Sequence, residues 1–221
     1  MSVKNITYKS HKKYFLILIL VSFIISFSYN YLQYGVDGGL VLAKKIIFPD
    51  NESPVKYYLL NSWTAIHQIS FILIKFGFSV EIISKIIMLF STLFFAFGVF
   101  FFSNSIANNI NFAFVISLLT IFLGKNFGDT DYPSLIYSEH TYGMISLSLA
   151  TLVFGLIANK NLLLASMTSV VLITIHPIVG LWIITIGSIS IFFTKLDKFE
   201  KKRIIIGFFI GFFFLLISFT F

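Results

Sequence analysis

Cysteine is absent from the 221-residue chain, which excludes disulfides, thiolate zinc sites and cysteine nucleophiles and removes redox usage as a guide to compartment. Charge is also scarce: 11% of residues are charged, against roughly 25% in soluble domains. So little charge cannot cover an aqueous surface. Hydrophobic residues make up 57% of the chain, with a mean hydropathy of +0.94, and they fall in long blocks that match bilayer thickness. The weakly alternating strands of an outer-membrane barrel would not give such blocks. The predicted fold class is therefore all-α, a polytopic transmembrane helical bundle in a single domain spanning residues 1–221.

The apolar runs predict seven spans, at 14–34, 82–102, 110–123, 142–157, 162–175, 178–193 and 204–221. The first is too long for a signal-peptide core and lacks a small-residue cleavage site, so it is expected to be retained. An eighth block, Tyr57 to Phe78, carries Asn61, His67, Gln68 and Lys75, which together cost several kcal/mol at a bilayer centre. Charge placement decides its fate. With Lys4, Lys9, Lys12 and Lys13 in the cytoplasm, a non-crossing block also puts Lys160, Lys195, Lys198, Lys201, Lys202 and Arg203 there. Lys44, Lys45, Lys56, Lys75, Lys85 and Lys125 are then outside, a ratio of ten to six. A crossing block would send the dense run Lys195 to Arg203 outside. The positive-inside rule thus makes residues 57–78 an interfacial helix within an external loop over 35–81. The expected location is a cell membrane, multi-pass, with a cytoplasmic N-terminus. The net charge of +7 sits beside apolar blocks as topology signal and lipid contact, and nucleic acid is not expected as a partner.

This topology gathers Asp37, Asp50, Glu52, Glu81, Asp129, Asp131 and Glu139 on the outer side. Asp37 follows the first span and precedes Gly38 and Gly39, which let the backbone turn back toward the membrane. A carboxylate held there can act as a general base; a plain Asp-Gly-Gly turn is the other reading. Asp129 and Asp131, with Glu139 and His140 downstream, supply the hard oxygen ligands that a sugar-hydroxyl site or a divalent cation needs, although solvated turn residues and a helix cap account for them too. His176 and Pro177 break the run from Leu162 to Phe193 and predict a tight outer turn, where the histidine meets a phosphate, relays protons or simply caps. His67 and Gln68, with Tyr57, Tyr58 and Trp63, either grip a sugar headgroup or form an aromatic-belt helix.

The order of these features resembles the N-terminal half of the C-type membrane glycosyltransferases, which use polyprenyl-phosphate-linked sugars. The resembling elements are one span, an early external Asp37, then Pro54 leading an interfacial helix that closes with Gly77, Phe78, Ser79, Val80 and Glu81. The resemblance implies Asp37 as the catalytic base. It implies Asp129, Asp131, Glu139, His140 and His176 as substrate-binding residues, a possible divalent cation, and a polyprenyl-phosphate sugar donor as partner. The arginine that often accompanies the second acidic loop is missing. Such enzymes have about eleven or more spans, so a truncated C-terminus, or a second membrane subunit in place of the missing half, is expected. The rival expectations are a transporter or channel subunit, which the almost uncharged span centres disfavour, and a non-catalytic assembly subunit.

Overall fold

The computed structural model describes residues 12–28, 36–47, 53–61, 64–123 and 141–219, and all secondary structure among them is helical. In chain order the helices are α1 Lys12–Ser28, α2 Asp37–Leu42, α3 Pro54–Asn61, α4 Ala65–Lys75, α5 Val80–Ala107, α6 Ile110–Leu123, α7 Thr141–Ala158, α8 Leu162–Ile175, α9 Pro177–Phe193 and α10 Lys198–Ser218. By length and composition, α5 is the one helix among the described residues long and apolar enough to cross a membrane.

Local chemistry sets the helix ends. Ser79 starts α5 by accepting a hydrogen bond from the Ile82 amide at 3.3 Å, and Asn108 ends it in the left-handed region at φ 50°, where asparagine is tolerated best after glycine. Gly77, at φ 86°, closes α4, with the Phe78 amide returning to the Leu73 carbonyl. Asp197 and Glu200 form a reciprocal capping box at the start of α10, satisfying two amides that a bare helix end leaves orphaned.

The block 57–78 differs from the sequence expectation in one respect. It is two helices, α3 and α4, with the second begun by Thr64, whose hydroxyl accepts from the Ile66 amide at 3.4 Å. A side-chain acceptor at this point lets the backbone leave helical geometry and restart in a new direction.

Side-chain pairs fix how the long helices run. Phe15, early in α1, packs on Phe97, Phe100 and Phe101, late in α5, so α1 and α5 are antiparallel. The Tyr14 hydroxyl donates to Asn111 Oδ1, which sets the starts of α1 and α6 side by side. Helices α5 and α7 run parallel: Ser91 meets Ser148 at 2.9 Å in the buried middle, and the Ser105 hydroxyl donates to the Ala158 carbonyl at 2.7 Å near their ends.

Glycines permit the closest of these approaches. A Cβ on Gly98 would lie 2.5 Å from the Thr151 carbonyl carbon and 2.6 Å from the Leu152 nitrogen, and Gly155 faces the Gly98 carbonyl in turn. Gly207 and Gly211 of α10 seat in the same way against Leu163, Ser166 and Met167 of α8. Small residues at these positions let the backbones approach into direct van der Waals contact. The outward faces are apolar: Trp182 is 63% exposed, Phe192 85% and Phe209 68%.

Candidate functional site

Asp37 is the first residue of α2. The turn expected at Asp37–Gly39 is instead a six-residue helix, and its glycines serve close approach, not chain reversal. A side chain at Gly38 would collide with the His67 ring, and one at Gly39 would lie 2.5 Å from Ser70 Cβ and 2.8 Å from the Phe71 nitrogen. Only a helix face without Cβ atoms can lie this flat on α4. Asp37 is thereby held at the edge of the joint, exposed itself while Val36, Gly38 and Gly39 are buried. Its carboxyl pKa is raised above the ordinary 3.8, because the surrounding protein removes part of its water.

The joint is tied to the far part of the chain. The Thr64 hydroxyl donates to the Ile175 carbonyl at 2.8 Å, and Gln68 Nε2 donates to the Ser218 carbonyl at 2.8 Å. The ends of α8 and α10 therefore meet the helix on which Asp37's segment rests. His176, the residue after Ile175, caps α9: its Nδ1 accepts from the Val179 amide at 3.4 Å. Burial lowers its pKa from the ordinary 6.5, only partly offset by the backbone hydrogen bond. A neutral ring accepting at Nδ1 carries its proton on Nε2.

Asp37 and His176 thus lie at the same end of the bundle, linked through Gly38, His67, Thr64 and Ile175. His67 is 4% exposed beneath Gly38, and Gln68 is engaged with Ser218, so both build the joint and do not reach outward as sugar-gripping groups. Tyr57 and Tyr58 are the exposed aromatics, on α3. Asp129, Asp131, Glu139, His140 and Trp63 lie outside the described residues. Among the described residues, no three His, Asp or Glu side chains converge where they could hold a metal ion. Sequence reasoning missed Thr64. Its signal was a threonine directly before the apolar-periodic run from Ala65, a helix-start pattern.

Two expected outcomes test this construction. Gly38→Ala should destabilise the α2–α4 joint by about 1–3 kcal/mol, and adding His67→Ala should recover part of that loss. Additive costs in the double-variant cycle, measured by denaturant unfolding in micelles, would count against the contact. For His176 the folded-state pKa is depressed, so its contribution to stability is present above pH 6.5. It is lost as pH falls below that value toward the folded pKa. His176→Asn should keep the cap and flatten this acid limb, whereas His176→Ala should lose about 1 kcal/mol at neutral pH.

A comparison with protein-family models, curated proteins and solved structures yields no match.

Proposed function

We propose that the chain is a multi-pass membrane protein of the C-type glycosyltransferase kind, crossing the bilayer with α1 and α5 through α10 and transferring a sugar from a polyprenyl-phosphate donor at the outer face. The membrane part of this reading draws support from the apolar exterior. Each large side chain such as Phe192, Phe209 or Trp182 left in water forgoes about 1.5–3 kcal/mol, and such residues line α1, α9 and α10 together. Charge supports the orientation. Lys12, Lys13, Lys160, Lys195, Lys198, Lys201, Lys202 and Arg203 belong to one end of the helix array, and Asp37, Glu81 and the α2–α4 joint to the other. Helix α4, at 11 residues, extends about 16 Å and does not cross. Helix α8, at 14 residues, extends about 21 Å, a short span that local thinning of the bilayer accommodates.

The observation that carries the catalytic part is the setting of Asp37: a carboxylate of raised pKa on a helix pressed flat against α4, at a joint shared with the His176 elbow. Asp37 takes the proton of the acceptor hydroxyl as that oxygen bonds to the anomeric carbon. The bond from that carbon to the phosphate oxygen breaks, and the polyprenyl phosphate leaves with the electron pair. His176, neutral, offers an N–H to the donor phosphate, and Asp129, Asp131, Glu139 and His140 position the acceptor. A second membrane subunit is the partner proposed to complete the donor site.

Reconstitution in vesicles with labelled polyprenyl-phosphate sugars and a panel of hydroxyl acceptors tests the reading. Transfer of label supports it. Uptake of a labelled solute with no transfer replaces it with a transporter.

A further inference from the structure

The end of the bundle remote from Asp37 has a feature that sugar transfer does not use. Helices α9 and α10 both pack on α8 but scarcely touch one another, and between them lies a cleft of about 110 Å³. Its walls include Ile157, Ala165, Ile183, Gly187 and Phe208. The cleft opens on the outer surface of the bundle, since its residues Ser188, Ser190 and Ile191 are exposed. Two of its serines are internally satisfied: Ser166 and Ser169 donate to the Leu162 and Ala165 carbonyls of their own helix. The lining therefore presents methyl and methylene groups more than hydroxyls. At Gly187 nothing lies within 4 Å of where a Cβ would be, so the slot is open there, and its volume of about 110 Å³ is too small for a helix some 10 Å across.

The mouth of this slot is cationic. Lys160 lies in the turn between the lining residues Ile157 and Leu162, Lys195 lies four residues beyond Ile191 in the linker between α9 and α10, and Lys201 lies one turn before Ile204. Lys198, Lys202 and Arg203 surround them. The nearby carboxylates, Asp197 and Glu200, are occupied with backbone amides in the α10 capping box, and Lys160, Lys195 and Lys201 form no ion pair with a described residue. A thin apolar slot that ends in unneutralised lysines is complementary to a molecule with one apolar chain leading to an anionic head.

We propose that the α8–α9–α10 cleft binds one anionic phospholipid of the inner leaflet, with an acyl chain in the slot along Gly187 and the phosphate among Lys160, Lys195 and Lys201. This site rests on the bilayer location proposed above but is independent of sugar transfer, and its test needs no transferase activity. The full chain is released from nanodiscs containing equal phosphatidylglycerol and phosphatidylcholine of identical acyl chains, and retained lipid is read by native mass spectrometry.

One phosphatidylglycerol per chain is expected. Gly187→Leu, whose Cβ enters open space and whose branched end occupies the slot, should cut its retention on the order of tenfold, with the unfolding midpoint unchanged. The triple variant K160Q/K195Q/K201Q should abolish the preference over phosphatidylcholine, again on the order of tenfold. Soluble glycerol phosphate should not displace the lipid. Equal retention of both lipids by the unaltered chain, or unaltered retention by Gly187→Leu, would overturn the site. So would displacement by glycerol phosphate, or a dimer mass that disappears in Gly187→Leu.

Discussion

Under the proposed glycosyltransferase reading, replacing Asp37 by Asn is expected to lower sugar transfer by about a hundredfold to ten-thousandfold, the usual contribution of a positioned general base. The amide keeps the shape and part of the hydrogen-bonding capacity of the carboxylate but cannot take a proton. The fold should not suffer. Because the Asp37 pKa is raised in the folded state, the folded chain holds that proton more tightly than the unfolded chain does. Ionisation therefore costs stability as pH rises through the folded value. Removing the ionisable group takes that cost away, so the Asn variant should unfold at an equal or higher temperature. Its activity loss should be confined to kcat.

The pH profile supplies a second readout. Transfer by the unaltered chain should rise with pH along a limb whose midpoint lies above the ordinary carboxylate value of 3.8. A variant that lost turnover and thermal stability together would assign Asp37 to the α2–α4 joint and not to chemistry. Undiminished turnover would remove it from the mechanism.

Gly98→Ala should be strongly destabilising although it adds a single methyl group. Helix propensity alone favours alanine over an interior glycine by roughly 1 kcal/mol, so a helix judged by sequence would be stabilised. The contact geometry reverses the sign. The new carbon would lie 2.5 Å from the Thr151 carbonyl carbon and 2.6 Å from the Leu152 nitrogen, which are backbone atoms of α7 and cannot swing away as a side chain could. Relief requires separating α5 from α7, and that pulls apart the buried Ser91–Ser148 hydrogen bond.

A cost of about 3 kcal/mol or more is expected, at the upper end of overpacking in cores, measured as a shift in the unfolding midpoint in micelles. Gly187→Ala is the matched control. It too is an interior helical glycine, but open space surrounds it, so it should be neutral or slightly stabilising. Equal effects at the two positions would mean that α5 and α7 do not approach through Gly98.

The apolar blocks made the helices legible, because each is long and is bounded by polar or turn residues. Pro177 after His176 and Gly77 after Phe76 marked helix boundaries by their own backbone preferences. The break at Thr64 was hidden among the other polar residues of its block, Asn61, His67 and Gln68, since a cap is a single hydroxyl and leaves periodicity unchanged. The Asp37 segment was misjudged for a related reason. Glycine pairs serve turns and close helix contacts equally well, and only the position of His67 and Ser70 decides between them. Topology alone puts Asp37 and the His176 turn on one face, but their linkage through Gly38, His67, Thr64 and Ile175 depends on contacts between residues far apart in the chain, which a single sequence does not disclose. The cleft beside Gly187 was invisible for the same reason.

The two hydrogen bonds that tether α4 also fix when the site can exist during synthesis. Thr64 finds its acceptor 111 residues later, at Ile175, and Gln68 finds its own 150 residues later, at Ser218. The segment bearing Asp37 leaves the ribosome early, yet its support waits for the last helix. At about 5–20 residues per second, roughly 6–22 s pass before Thr64 has its acceptor and roughly 8–30 s before Gln68 has its own, so α2 and α4 wait that long for full anchorage. A nascent chain arrested before α10 should therefore carry a protease-sensitive first loop that becomes protected once synthesis proceeds past Ser218.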